Sequence, residues 1–147
     1  MNLLYVDTSA VIRAYFPDED DHEALRQRVL LGSDPVVSSE VTRIEVASAI
    51  SGAHRAGRLT NPKTIQDQFD VDCSQAGLIT LLRLDPQTAL PLAYRLVAQY
   101  PLRTMDAIHL AVALTDAVSL AEGDEVTMVT RDKRQAAAAR AQGLNVV

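Results

Sequence analysis

The chain has 147 residues, of which 48% are hydrophobic and 22% charged, and its formal net charge is −5. This composition is typical of a soluble globular protein, and it excludes a disordered, fibrous or membrane-embedded chain. The negative charge argues against a simple nucleic-acid-binding module, because such modules usually contact phosphate through a surplus of Lys and Arg. An enzyme that meets phosphate through bound cations would not need that surplus.

The start of the chain and its cysteine content bear on location. The first residues carry no basic segment and reach a carboxylate at Asp7, so they do not predict a signal peptide. No apolar run approaches the roughly 18 residues that a bilayer span needs. Cys73 is the only cysteine, which excludes an internal disulfide and a thiolate zinc site. We therefore expect a cytoplasmic protein that does not bind a membrane.

The first half of the chain alternates short apolar runs with helical patterns. In chain order it predicts a strand at 3–6, a helix capped by Thr8 or Ser9 and ending near 15, a helix from about 18 to 31, a strand at 35–38, a helix at about 40–56 capped by Ser38 or Ser39, and a helix from Asn61-Pro62 to about 76. Pro17, Gly32, Gly57 and Gly77 mark the helix ends. The acidic residues 18–21 suit the first turn of the second helix, where the helix dipole favours carboxylates.

The second half continues the same alternation. It predicts a strand at 78–84, a helix from Asp85-Pro86 to about 99, a helix at about 104–121, a strand at 125–129, a helix at 132–142 and a strand at 144–147. Strands that alternate with helices predict an α/β fold with a mainly parallel central sheet flanked by helices. No repeat or linker interrupts the pattern, so we predict a single domain over 1–147.

Asp7 directly follows the first predicted strand. In open parallel sheets the carboxyl ends of the strands line the crevice in which ligands bind, which favours a functional carboxylate. Aspartate is also a preferred helix cap, and position alone supports the two interpretations equally.

Glu45 lies at the edge of the apolar face of the predicted helix at 40–56. Val41, Glu45 and Ala49 share one stripe at helical spacing. A carboxylate is rarely buried without a partner, because removing its charge from water is costly. For this residue alone, a salt bridge to Arg43 or another arginine is the simpler interpretation.

Asp106 opens the most apolar predicted helix, with Leu110 on its stripe and His109 beside it. Its place in the first turn also suits the helix dipole. His109 on this apolar helix is more typical of a core histidine with satisfied hydrogen bonds than of a ligand or a catalytic base.

Asp132 follows the predicted strand at 125–129 and opens the next helix, so it is either a strand-end carboxylate or a helix cap. Thr130 places a hydroxyl nearby. Each acid has a structural explanation by itself. Four acids at strand ends, in first turns or facing inward are harder to explain separately.

If these four acids converge, their charges need to be neutralised. Two unit charges about 4 Å apart repel by about 4 kcal/mol at an effective dielectric of about 20. Oxygen ligands without a cluster of Cys or His suit Mg²⁺ or Mn²⁺ better than zinc. Magnesium keeps several waters and polarises a phosphoryl oxygen, so converging acids predict hydrolysis of a phosphodiester.

Four segments also resemble the motif regions of a known family. They are Tyr-Val-Asp-Thr-Ser-Ala at 5–10, Thr-Arg-Ile-Glu-Val-Ala at 42–47, Arg-Thr-Met-Asp-Ala-Ile-His-Leu-Ala at 103–111 and Val-Thr-Arg-Asp at 129–132. In order and separation they are similar to PIN domains, most closely to the VapC-type toxins of prokaryotic toxin–antitoxin pairs. The similarity spans nearly the whole chain. Asp-Thr-Ser alone is weakly specific, whereas Asp-Ala-Ile-His-Leu-Ala combined with the other segments is strongly specific.

The resemblance implies a three-layer PIN-like fold and endonucleolytic cleavage of RNA that depends on Mg²⁺ or Mn²⁺. Carried over by position, Asp7, Glu45 and Asp106 would be the core metal ligands. Asp132 would be the fourth acid, acting directly or through water. Ser9 resembles a residue that helps to order the metal site or its water.

The resemblance also implies partners. Family members dimerise and are inhibited by a cognate VapB-type antitoxin whose tail enters the active-site groove, so RNA, such an antitoxin and a second copy of the chain are expected. Four basic residues near the acids in sequence are candidates for contacts with RNA phosphates: Arg43, Arg103, Lys133 and Arg134. Ordinary surface charge is the simpler explanation of any one of them.

Three alternatives remain to be weighed. A phosphatase of the haloacid dehalogenase type needs a second aspartate two positions after the first, where this chain has Ser9. A response-regulator receiver needs a phosphate-accepting aspartate after a central strand, and Asp85 is a poor candidate. A catalytically inactive PIN-like module that binds RNA or protein is the most serious alternative. Such a module is expected to lack one or more of the acids, whereas all four are present.

Overall fold

A computed structural model describes residues 1–147, and its centre is a five-stranded sheet in which every pairing is parallel. The strands are β1 (Asn2–Val6), β2 (Val36–Ser39), β3 (Ile79–Leu82), β4 (Glu125–Val129) and β5 (Asn145–Val146), in the spatial order β3-β2-β1-β4-β5. β1 is therefore the central strand, with β2 and β4 as its neighbours. The predicted α/β fold with a mainly parallel sheet is confirmed.

The helices are α1 (Thr8–Tyr15), α2 (His22–Val29), α3 (Val41–Arg55), α4 (Pro62–Asp72), α5 (Pro86–Gln99), α6 (Thr104–Val112), α7 (Val118–Ala121) and α8 (Lys133–Ala141). A π-helical turn at Ala113–Ala117 joins α6 to α7. The helix predicted at 104–121 is therefore continuous but contains a bulge. The predicted cap at Asn61 is confirmed, because its side chain accepts from the backbone N–H of Thr64.

The predicted start of the second helix was wrong. α2 begins at His22, after Asp21 in a left-handed conformation with φ 60°. Asp18 and Glu19 do not support the first helical turn, because both bind the guanidinium of Arg58, at 2.8 and 2.9 Å. Charges on a distant segment thus compete with the local helix dipole for these acids.

The predicted cap of the long helix is offset by one residue, because the Ser39 hydroxyl accepts from the backbone N–H of Val41 at 3.4 Å but Ser39 precedes the cap position. Glu40 occupies the cap position of α3, and its side chain makes no capping hydrogen bond. The Ser38 hydroxyl instead donates to the carbonyl of Val6 at 2.6 Å, which ties the end of β2 to the end of β1.

The sheet is covered by helices on both faces, so the fold has three layers. Successive side chains of a strand point to opposite faces, and β1 is buried on both. Tyr5 belongs to a core of 16 buried residues on one face, which includes Leu110 of α6 and Met128 of β4. Leu4 and Val6 belong to a second core of 16 buried residues on the other face.

The helical stretch 104–121 tests the prediction that the chain has no segment able to span a membrane. Its 18 residues have a mean hydropathy of 1.3, so by length and composition it could cross a bilayer. The prediction that no apolar run approaches such a length was therefore wrong. Six of its apolar residues nevertheless lie in the first core, where Leu110, Ala111 and Val112 are fully buried. Packing against the sheet accounts for these residues, whereas Val118 and Leu120 are exposed.

Gly77 approaches the end of α4 so closely that a side chain has no room. A Cβ atom at Gly77 would lie 2.1 Å from the backbone oxygen of Asp72. Gly77→Ala forces the backbone to move, and we expect it to lower the free energy of unfolding by about 1–3 kcal/mol. Urea denaturation measures the change.

Gly52→Ala is the matched control. Gly52 lies inside α3, and nothing lies within 4 Å of its Cβ position. Because alanine favours the helix, this variant should raise the free energy of unfolding by about 0.5–1 kcal/mol. Equal free energies for the two variants would contradict the steric argument.

Candidate active site

One cleft at the carboxyl edge of the sheet brings the sequence-predicted site residues together. Its volume is about 540 Å³, and it is lined by Asp7, Thr8, Ser9, Ile12, Glu45, Arg103, Thr104, Met105, Asp106, His109 and Asp132. Asp7 follows β1 directly, and Asp132 lies in the loop between β4 and α8. The other two acids reach the same space from α3 and α6. The four carboxylates and Ser9 thus share one cleft.

Asp7 is held at the end of β1 by three donors, and it is only 2% exposed. Its Oδ1 accepts from the Ser9 hydroxyl at 2.7 Å and from the backbone N–H of Ala10 at 3.0 Å, and its Oδ2 accepts from the Thr130 hydroxyl. The bond from Ala10 makes Asp7 the cap of α1, so the cap predicted at Thr8 or Ser9 was wrong. Asp7 is both a helix cap and a cleft residue. Burial raises the pKa of its carboxyl, although the three donors oppose this shift.

Ser9 and Thr130 connect the two loops that follow β1 and β4. The Ser9 hydroxyl accepts from the backbone N–H of Arg131 at 3.0 Å while it donates to Asp7. The Thr130 hydroxyl likewise accepts from the backbone N–H of Asp132 at 3.0 Å. These bonds fix the position of Asp7 relative to Asp132.

Glu45 is paired with a histidine. Its Oε1 accepts from the Thr8 hydroxyl at 2.6 Å and from Nε2 of His109 at 2.6 Å. Arg43 binds Asp70 instead, at 3.0 Å, so the predicted arginine partner was wrong. Burial raises the pKa of Glu45, but the hydrogen bonds from His109 and Thr8 outweigh this effect and leave the pKa below its ordinary value.

His109 is a buried histidine with both ring nitrogens hydrogen-bonded, as its position on an apolar helix predicted. Its side chain is 1% exposed, and Nδ1 lies 2.8 Å from the Tyr5 hydroxyl. Sequence reasoning missed that this core histidine contacts Glu45 directly, and it missed Tyr5 and Thr8 altogether. The available signals were a hydroxyl in the apolar first strand and a histidine three residues after Asp106.

Asp106 and Asp132 lie on either side of one arginine. The Arg103 guanidinium is 3.7 Å from a carboxylate oxygen of each. Asp132 also caps α8, because it accepts from the backbone N–H of Gln135 at 2.9 Å. Burial raises the pKa of Asp106, and the negative charges of Asp132 and Asp7 raise it further. The cleft therefore holds more negative charge than Arg103 neutralises.

Among the basic residues proposed for phosphate contacts, only Arg103 lines the cleft. Its side chain is 82% exposed, so the guanidinium is free to move. Arg43 faces α4 through Asp70.

The donor set of the cleft fits a hard divalent cation. No group of three or more acid, histidine or cysteine side chains is arranged closely enough to enclose a metal ion as the side chains stand. Apart from His109, whose two ring nitrogens are already hydrogen-bonded, the donors lining the cleft are carboxylates and hydroxyls, which Mg²⁺ and Mn²⁺ prefer. A cation there would offset the repulsion that raises the pKa of Asp106.

Comparisons with known proteins agree with this architecture. Ribonuclease VapC46 of Mycobacterium tuberculosis is 32% identical over 147 residues, which is 100% of this chain and 98% of that protein. The crystal structure of FitAcB from Neisseria gonorrhoeae matches the fold with a TM-score of 0.60 at 16% identity, covering 97% of this chain and 95% of that one. The family model for the PIN domain matches residues 4–141. The chain belongs to the PIN-domain family.

Proposed function

We propose that this chain is an endoribonuclease that depends on Mg²⁺ or Mn²⁺ and is the toxin component of a type II toxin–antitoxin system. The observation that carries the proposal is that four carboxylates line one cleft of a PIN-domain chain, and that this chain is similar over its full length to a ribonuclease. The catalytically inactive PIN-like module is disfavoured, because such a module is expected to lack one or more of these acids.

Asp7, Glu45 and Asp106 are the proposed metal ligands, with Asp132 as a fourth acid that acts directly or through water. A divalent cation bound there would polarise the scissile phosphoryl group and ease deprotonation of the attacking water. Asp7 uses three of its roughly four acceptor positions within the fold, which leaves capacity for a cation. Glu45 has its Oε2 available, because both of its hydrogen bonds go to Oε1.

The remaining side chains of the cleft orient these ligands and meet the substrate. Ser9 and Thr130 hold Asp7 in one orientation through their hydroxyls. Arg103 is exposed and lies between Asp106 and Asp132. A cation that neutralised these acids would leave the Arg103 guanidinium free to bind an RNA phosphate, for which its planar shape is suited.

The proposal implies three partners: an RNA substrate, a cognate VapB-type antitoxin and a second copy of the chain. The homodimer, the absence of membrane binding and the cytoplasmic location stay predictions. We also infer a single PIN-like domain over 1–147, because both cores are built on one sheet.

Removal of one carboxylate should abolish cleavage while the fold is preserved. Asp7→Asn keeps a side chain that caps helices well but removes the charge that a cation needs. Because a metal ion supplies several kcal/mol of transition-state stabilisation, we expect cleavage of total RNA in Mg²⁺ to fall at least about 100-fold. Asp106→Asn should have the same effect, and a chelator should abolish wild-type cleavage.

Asp67→Asn is the matched control for these two variants. Asp67 is an exposed residue of α4 that pairs only with Lys63, so its variant should cleave RNA at the wild-type rate. The proposal would be contradicted if the wild type cleaved RNA in the presence of chelator, or if both cleft variants cleaved RNA at the wild-type rate.

Asp106→Asn should also stabilise the metal-free protein at neutral pH. Burial and the charges of Asp132 and Asp7 place the folded-state pKa of Asp106 above its unfolded value. Protonated Asp106 contributes fully to the free energy of unfolding below the pKa of its unfolded state. This contribution is lost as the pH rises through the pKa of its folded state. The stability advantage of the variant should therefore be larger at neutral pH than below about pH 4, the unfolded-state pKa of an aspartate. Urea denaturation in chelator tests this, and a constant difference between the two proteins would contradict it.

Addition of a divalent cation should make the wild type more stable than Asp106→Asn, which reverses the order expected in chelator. A ligand at about 100 times its Kd stabilises the folded state by about 2.7 kcal/mol. At such a concentration, Mn²⁺ should raise the free energy of unfolding of the wild type by this amount and that of Asp106→Asn by clearly less. An equal gain in both proteins would show that Mn²⁺ binds elsewhere.

A further inference from the structure

A buried chain of hydrogen bonds runs from the centre of the sheet to the cleft. The Tyr5 hydroxyl lies 2.8 Å from Nδ1 of His109, and Nε2 of the same ring lies 2.6 Å from Oε1 of Glu45. Tyr5 is 0% exposed and His109 1% exposed, so water does not compete for these contacts. The reaction proposed above uses Glu45 but assigns nothing to the other two residues.

The direction of each hydrogen bond follows from the donors available. The ionised Glu45 carboxylate can only accept, so Nε2 of His109 donates to it. With the imidazole ring neutral, the other nitrogen would carry no proton and would accept, so the Tyr5 hydroxyl would donate to Nδ1. Burial raises the pKa of Tyr5, as do the charges of Asp7 and Glu45, which keeps the hydroxyl protonated.

The two oxygens of Glu45 are in different surroundings as a result. Oε1 accepts from His109 and from the Thr8 hydroxyl, while Oε2 accepts no hydrogen bond from the protein. The two donors to Oε1 belong to α6 and α1, and Tyr5, which bonds to the other nitrogen of His109, belongs to β1. Three elements of the fold thus determine the orientation of a glutamate that would otherwise have three freely rotating side-chain bonds.

We propose that Tyr5 and His109 are positioning residues for Glu45: Tyr5 selects the Nε2–H tautomer of His109, and His109 holds Oε1 so that Oε2 is left to bind the cation. The importance of Glu45 as a ligand rests on the proposed function, whereas the proton positions do not. Residues that orient a metal ligand in this way typically contribute a factor of about 10–100 to metal affinity.

A purely structural role for the same residues makes a different prediction. The Tyr5 and His109 rings also pack edge to face, with centroids 6.0 Å apart. If packing were their only role, Tyr5→Phe would keep the ring and lose nothing beyond some stability. Cation affinity and the nitrogen resonances of His109 therefore separate positioning from packing.

The first test uses no metal. The protein labelled with [¹⁵N]histidine is studied by NMR at neutral pH in chelator, and loss of one of the three histidine signals in His109→Gln assigns the resonances. We expect a proton on Nε2 of His109 and a hydrogen-bonded, unprotonated Nδ1. Tyr5→Phe should shift Nδ1 to the resonance of a nitrogen without a donor. A proton on Nδ1 in the wild type, or an unchanged spectrum in Tyr5→Phe, overturns the proposal.

Tyr15→Phe is the matched control for Tyr5→Phe. Tyr15 is also a buried tyrosine with a hydrogen-bonded hydroxyl, but its partner is the carboxylate of Asp72 and it does not line the cleft. The same chemical change there should leave the His109 resonances and the affinity for Mn²⁺ unchanged.

The second test measures Mn²⁺ binding by calorimetry. His109→Met removes the donor at similar volume and should weaken binding about 10-fold or more, whereas His109→Gln offers an amide N–H and should recover part of the loss. Tyr5→Phe should weaken binding about threefold to tenfold, since it removes one buried hydrogen bond. Wild-type affinity in folded Tyr5→Phe and His109→Met overturns the proposal. If the wild type neither binds Mn²⁺ nor cleaves RNA, the proposed function fails instead, and the NMR result still decides the proton positions.

Discussion

The parallel register between β1 and β4 determines where the acids of the cleft lie. Val6 pairs with Val129, and the backbone N–H of Asp7 donates to the carbonyl of Val129 at 3.1 Å. Asp7 and Thr130 therefore leave the sheet side by side, and their side chains bond to each other. A slip of one residue would turn every side chain of β1 to the opposite face and separate this pair. The site thus depends on the same pairing that builds both cores.

The acids of the cleft do not share one electrostatic environment. Burial raises the pKa of Asp7 and Asp106, so their ionised forms lower the stability of the metal-free fold. Glu45 differs, because hydrogen bonds from His109 and Thr8 favour its ionised form. If a cation binds as proposed, Glu45 is favoured in its ionised form beforehand, whereas the ionised forms of Asp7 and Asp106 would be favoured by the cation itself. Such a cost in stability is common where a fold holds like charges for function.

The pleat of β1 connects the hydrophobic cores to the chemistry of the cleft. Leu4 and Val6 point to one core, and Tyr5 points to the other, where its ring packs against His109. A strand that is buried on both faces is rigid, so a hydroxyl on it occupies one position. The proposed effect of Tyr5 on the orientation of Glu45 in α3 depends on this fixed position.

Local patterns in the sequence determined the order of strands and helices, the Asn61 cap and the positions of Asp7 and Asp132 after their strands, because these features depend on neighbouring residues. Only the tertiary structure decided which partner each polar group has. Asp7 accepts from Thr130, Glu45 binds His109, and Glu19 binds Arg58. The last two contacts join residues 64 and 39 positions apart. Their energies depend on distances that the fold creates and that no local propensity encodes.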